Sequence, residues 1–146
     1  MQVPTSKYPF TISTREGKTY IFDIFRKKKV MLTPEEWVRQ QILWFLVEEM
    51  KYPAALFSLE HSLEKNGVKH RFDALLFDKA GNPWMMLEFK ATEVSLTQDA
   101  FDQIFVYQKA LQTPFSIVSN GNETRCFRYT HNGITAVSAL PVYGEL

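Results

Sequence analysis

Trp84-Met85-Met86-Leu87-Glu88-Phe89-Lys90 is an apolar run that closes on an acid and a base two positions apart. Opened by Gly81-Asn82-Pro83, it reads as a strand, Pro83 to Ala91, buried among neighbours. Charged side chains are rarely placed in such a segment unless they pair or hold a metal. Residues i and i+2 of a strand share a face, so Glu88 and Lys90 project together while Phe89 turns away. Upstream, Asp73 completes the pattern D-x14-E-x-K within a second apolar segment, Lys69 to Phe77. Its spacing puts it on a face with Leu75 and Phe77. If the two strands pair through the Gly81-Asn82 turn, Asp73 comes close to opposite Glu88. Two bare carboxylates there would repel, and a cation between them is the natural resolution. Two carboxylates and a lysine meet the needs of metal-assisted phosphodiester cleavage. The competing reading is an ion pair, Glu88 or Asp73 with Lys90, at a sheet end.

Working outward, Thr33-Pro34-Glu35-Glu36 is a helix start, with Thr33 as N-cap, Pro34 first in the helix and Glu36 closing a capping box. That helix is predicted from Pro34 to about Lys51, with Val38, Ile42, Phe45 and Leu46 on its apolar face. Leu56 to Leu63 is the first of three strands, and Asn66-Gly67 and Gly81-Asn82 make the three an antiparallel meander. A second helix runs from Leu96 to Gln112, opened by Ser95 with Gln98 three positions on. Pro114 stops it. Phe115-Ser116-Ile117-Val118 is a buried strand, and Thr124 to Tyr129 with Ile134 to Val137 forms a closing hairpin. At the N-terminus, Tyr8 to Phe25 makes one or two strands around Glu16-Gly17-Lys18. The basic connector Arg26-Lys27-Lys28-Lys29 reads either as a solvated loop or as a phosphate-contacting patch.

The 146 residues suit one domain with a real core, 45% apolar and 14% aromatic. No apolar run approaches a membrane span, and Met1 to Ser6 is polar rather than a signal peptide, so the cytoplasm is the default expectation. The lone cysteine, Cys126, excludes an internal disulfide and a cysteine-based zinc site. A net charge of +1 means that any DNA contact must come from local charge asymmetry. No G-x-x-x-x-G-K-[S/T] phosphate loop occurs, so these residues are no ATP-driven translocase by themselves. His61, His70 and His131 lack ligand spacing, although His70 lies beside Arg71. Trp37, Trp44 and Trp84 read as core rather than as base-stacking platforms. Gln103 and Tyr107 share a helix face with Asp99, a stripe that on spacing alone is solvent-facing.

Arg71-Phe72-Asp73, Leu87-Glu88-Phe89-Lys90-Ala91 and Gln103-x-x-x-Tyr107 together resemble the PD-(D/E)XK nuclease superfamily. They are most similar to the N-terminal nuclease domain of type I restriction enzyme R subunits. Thr33 to Gln40, Glu60 and Ser119-Asn120-Gly121 extend the likeness over roughly Leu32 to Pro141. Phe72 stands where the superfamily's name has proline, and Phe89 and Ser119 replace residues more usual in the restriction branch. The resemblance implies a single α/β domain over residues 1–146: a restriction-endonuclease-like core, a mixed sheet flanked by helices in α-β-β-β-α-β order, with extra β segments at both ends. It implies Asp73 and Glu88 as Mg²⁺ ligands (Mn²⁺ substituting), with the Phe89 carbonyl as a further ligand. Lys90 would activate water or stabilise charge, Gln103 and Tyr107 would support the site or contact phosphate, and Glu36 is the first-helix glutamate to complete the metal set. Arg71 and Arg39 are the accompanying DNA contacts. The implied activity is metal-dependent DNA hydrolysis, with a separate motor or specificity subunit or a second copy of the chain as partners. The alternative is a non-catalytic nucleic-acid-binding module that keeps the fold.

Overall fold

Three reversals dictate the frame of the computed structural model, which describes residues 1–3 and 8–145. Asn66 and Gly67, both at positive φ (54° and 76°), join β4 (Phe57–Lys65) to β5 (Val68–Phe77), as a two-residue hairpin turn requires. Asp78 Oδ1 accepts hydrogen bonds from the backbone N–H of Ala80 and Asn82, each at 2.9 Å, and turns the chain into β6 (Pro83–Phe89). Pro83 sits first in its strand, where a missing N–H costs least. The third reversal is a crossover. After β6 the chain forms α2 (Gln98–Leu111) and returns as β7 (Phe115–Ser119) parallel to β6. Two antiparallel strands follow, β8 (Thr124–Thr130) and β9 (Gly133–Val137), and the mixed six-stranded sheet runs β4-β5-β6-β7-β8-β9.

Alternation along the central strands builds two cores. Ala74, Leu76, Met85, Leu87, Phe89 and Ile117 pack with Val38, Ile42, Leu43 and Leu46 of α1 (Pro34–Glu48). Phe72, Leu75, Met86 and Val118 pack with Ile104 of α2. The sheet is therefore a middle layer between two helices, and β6, in the middle of it, is apolar on both sides. Trp84 is core, 1% exposed. Trp37 and Trp44 instead make an aromatic cluster with Phe10 on the outer side of α1 (ring centroids 5.1 and 5.4 Å).

The N-terminal segment is a separate three-stranded antiparallel sheet, β1 (Ile12–Arg15), β2 (Lys18–Asp23) and β3 (Lys28–Met31). Ile21 and Asp23 face inward and are fully buried. The expected connector Arg26 to Lys29 is thus split: Arg26 and Lys27 lie in the turn, and Lys28 and Lys29 belong to β3.

Helix ends differ from the sequence expectation in three places. α1 stops at Glu48, since Lys51 adopts φ 60° ahead of Tyr52-Pro53. α2 begins at Gln98 and is capped by Thr97, whose side chain accepts from the Ala100 N–H, so Ser95 is not the cap. It ends at Gln112 in the left-handed conformation (φ 51°). The Glu36 capping box is half made. Thr33 Oγ1 accepts from the Glu36 N–H at 3.0 Å, but the Thr33 N–H goes to the Met31 carbonyl. No described helix is long and apolar enough to cross a membrane.

Candidate active site

Past a register shift between Phe77 and Leu76, the regular pairing of β5 with β6 runs from Leu76 to Ala74, opposite Leu87, and Asp73 and Glu88 come next in line. Where the ladder ends, side chains take over from backbone. Asp73 Oδ2 accepts from the Phe89 N–H at 2.7 Å, while the Asp73 N–H points at Glu88 Oε1, 3.4 Å away. Burial first, and then the charge of Asp73, push the Glu88 carboxyl up to about 8. Lys90 pulls it the other way but does not compensate.

The strand opposite Asp73 is irregular. β4–β5 pairing passes from Leu59↔Ala74 to His61↔Phe72, and Glu60 between them has φ 52°. Such a conformation costs a non-glycine residue roughly 1–3 kcal/mol and collects at functional sites. Alternation breaks here as well. Phe72 and Leu75 both join the α2-side core, so Asp73 does not follow Leu75 and Phe77 toward α2. Its Oδ1 instead lies 3.7 Å from Nη2 of Arg39 on α1.

Glu88 opens on the α2 side. There, Arg71, Glu88, Lys90, Gln103, Ile104 and Tyr107 line one cleft of about 150 Å³. Gln103 and Tyr107 therefore turn toward Glu88 and Lys90, not away, while Asp99, one turn earlier, is exposed and outside the cleft. Arg71 is held loosely, with its side chain 68% exposed and Nη2 at 3.3 Å from Glu60. His70 packs its ring on Tyr107 (centroids 4.3 Å), with Nδ1 buried and unpartnered. His70 is half-buried and does not itself line the cleft.

Two assignments do not survive. Glu36 is 6% exposed and its carboxylate is fully engaged: Oε1 accepts from Arg26 Nη2 (2.7 Å) and Arg39 Nη1 (3.1 Å), Oε2 from Gln40 Nε2 (3.1 Å). Three donors, two of them cationic, already compensate its charge, so it is not held out for a metal. The helix acid near Asp73 is Glu35, whose carboxyl is raised by burial and then by the Asp73 charge. Arg39, 5% exposed, is likewise no DNA contact, because its guanidinium is surrounded by Glu35, Glu36, Glu60 and Asp73. Among the described residues no three His, Cys, Asp or Glu side chains form a ready-made metal cage.

Sequence reading missed the reach of Arg26. From the N-terminal sheet it pairs with buried Asp23 through Nε and with Glu36, and its Nη1 lies 3.3 Å from Glu60. Asp23, Arg26, Glu36, Arg39 and Asp73 thus form a chain of ion pairs from the first sheet to the site. The only sequence signal was the i, i+3 spacing of Asp23 and Arg26 inside a basic run.

Residues 34–141 match the model of the family described as type I restriction enzyme R protein N terminus. With most of its length matched, the chain belongs to that family. Comparison with curated proteins returns no match.

Proposed function

We propose that this member of the type I restriction enzyme R protein N-terminus family is a metal-dependent nuclease domain with a restriction-endonuclease-like core, hydrolysing DNA phosphodiester bonds. The observation that carries the reading is that Asp73 and Glu88 reach across to each other's strands where the β5–β6 ladder ends, Asp73 Oδ2 to the Phe89 N–H and Glu88 Oε1 toward the Asp73 N–H, with Lys90 lining the cleft that Glu88 enters. The donor set fits Mg²⁺, or Mn²⁺ in its place. Two adjacent carboxyls, one of them pushed up to about 8 by burial and then by the other's charge, are what a hard divalent cation relieves. Among the described residues, Asp73 Oδ1 has only Arg39, 3.7 Å away, as an ion-pair partner. The Phe89 carbonyl and water would complete the sparse set that Mg²⁺ accepts. When bound, the cation supplies Lewis acidity to a phosphoryl oxygen and lowers the pKa of water.

The chain's own groups do the rest. The Lys90 ammonium offsets the negative charge that grows on the phosphoryl oxygens and steadies the attacking water. Gln103 and Tyr107 offer an amide and a hydroxyl donor across the cleft from Lys90, suited to a non-bridging phosphate oxygen. Arg71, exposed at the rim, contributes a further phosphate contact. Motor and specificity functions lie outside these residues in this reading. Plasmid nicking by the purified chain in Mg²⁺ or Mn²⁺, without ATP, tests it. Cleavage is lost in Lys90→Ala and Mn²⁺ binding by calorimetry is lost in Asp73→Ala. Cleavage that persists in Lys90→Ala, or metal binding unchanged in Asp73→Ala, sinks the proposal.

One observation favours the second reading, a non-catalytic binding module. Arg39, 3.7 Å from Asp73, already supplies positive charge beside the carboxylate. DNA binding with no cleavage across Mg²⁺, Mn²⁺ and several DNA structures selects that module.

A further inference from the structure

The N-terminal sheet lies outside the span matched to the family, residues 34–141, and its charge is unlike the rest of the chain. Residues 12–31 carry six cationic side chains and two acidic ones, a net of +4. The whole chain is +1, so the remainder is net −3. Of the six, Arg26 is consumed by Asp23 and Glu36. Arg15, Lys18, Lys27, Lys28 and Lys29 are exposed and make no ion pair among the described residues.

Register places three of these cations together. Ile21 and Asp23 point inward, so Tyr20 and Phe22 point out. Cross-strand partners share a face. Ser13 and Met31 flank Tyr20, Lys29 flanks Phe22, and Arg15 flanks Lys18. The outer face therefore combines Arg15, Lys18 and Lys29 with two aromatic rings, and Phe22 is 38% exposed. It is concave, with a hollow of about 330 Å³ lined by Ser13, Arg15, Glu16, Tyr20 and Lys29. Glu16 is the one acid there. The face also leads somewhere. Met31, beside Tyr20 in the ladder, lines the groove that holds Glu35, Arg39 and Glu60 next to Asp73.

We propose that the outer face of the β1–β2–β3 sheet is a docking surface for an unpaired DNA strand, its phosphates on Arg15, Lys18 and Lys29 and its bases on Tyr20 and Phe22. An array of cations with exposed rings on a sheet is the combination that binds single strands, since every base has a face to stack and every nucleotide a phosphate. A protein partner would not need the lysines, and a duplex would not use the rings. The proposal takes from the nuclease reading only the choice of DNA.

The test is fluorescence-anisotropy titration of the full chain with a fluorescein-labelled mixed-sequence 20-nucleotide DNA, in EDTA so that nothing is cut. The triple variant Arg15→Glu/Lys18→Glu/Lys29→Glu should bind at least tenfold more weakly. Its log-affinity against log-salt slope should be shallower by about 2, at roughly 0.7 per lost phosphate contact. Tyr20→Leu should weaken single-strand binding severalfold and leave duplex binding unchanged. Single Lys18→Glu and Lys29→Glu variants, each weakening binding severalfold, serve if the triple variant unfolds. Because the titration is run in EDTA, a failure of docking is read apart from a failure of cleavage. Unchanged affinity in the charge variants overturns the surface. Tighter binding of RNA of the same sequence, or no effect of Tyr20→Leu on the single strand, overturns its assignment to stacked DNA.

Discussion

The two helices flank the same pair of strands and treat their charges in opposite ways. On the α1 side, Arg26, Arg39 and Gln40 saturate Glu36, and Arg39 reaches Asp73, all with little exposure. On the α2 side, Glu88, Lys90, Gln103 and Tyr107 face an open cleft, and burial together with the Asp73 charge pushes Glu88 up to about 8 despite Lys90. The lesson is that buried charge alone does not mark a site. A saturated network organises the scaffold, and an unsatisfied one leaves something for a ligand to do.

The largest expected effect separates the two sides by readout. Glu88→Ala on the open side should lower cleavage by about 10³-fold or more while leaving the thermal midpoint within a few degrees, as removal of a metal ligand does. Cleavage assays beside thermal melts decide it, and a collapse of both together would erase the contrast. Arg39→Ala on the closed side should act through stability, costing about 3 kcal/mol in urea denaturation. That is the low end for breaking a buried pair, because Arg26 still serves Glu36. A change under 1 kcal/mol would show that α1's network is ornamental.

Acidity provides a third, smaller contrast. The folded-state pKa of Glu88 is raised to about 8, above its unfolded value. Its contribution is therefore fully present below about 4.5 and is lost as pH rises through about 8. For the metal-free chain this predicts stability declining over that window by on the order of 1 kcal/mol, discounted for partial solvent access. Glu88→Gln should flatten the decline, and melts from pH 5 to 9 with EDTA check it. A parent curve that rises over the window would mean that Glu88 is ionised in the fold. Smallest of all, Gln103→Ala should reduce cleavage a few-fold without moving the midpoint, since a single phosphate donor across an open cleft is worth about 1 kcal/mol. Unchanged cleavage would leave Gln103 a bystander.

Much of the architecture was legible because local signals agreed with one another. Asn66-Gly67, Gly81-Asn82 and the Thr33-Pro34 start each have one good structural solution, and the strands between them carry the right alternation. The meeting of Asp73 and Glu88 could be read from the turn between their strands. Their orientation could not, because the break at Glu60 and Phe72 depends on tertiary packing that period-2 counting ignores. Glu36 and Arg39 were misjudged for a related reason. A residue type states what a side chain can bind, while its availability depends on neighbours that include residues as distant in sequence as Arg26 for Glu36 and Asp73 for Arg39. Thr97 and Ser95 both offer a capping hydroxyl, and only the path of the chain after β6 chooses between them.

Glu60 has one more consequence, concerning association between molecules. β4 is an edge of the six-stranded sheet, and its outer row of backbone donors and acceptors is a ready template for another chain's strand. The left-handed residue at Glu60 breaks that row near its middle and leaves a charged side chain 41% exposed at the break. An approaching strand would find two short, misaligned pieces instead of one nine-residue ladder. The distortion that sets the geometry around Asp73 thus also guards the sheet against uncontrolled extension, so straightening it would change solubility as well as chemistry.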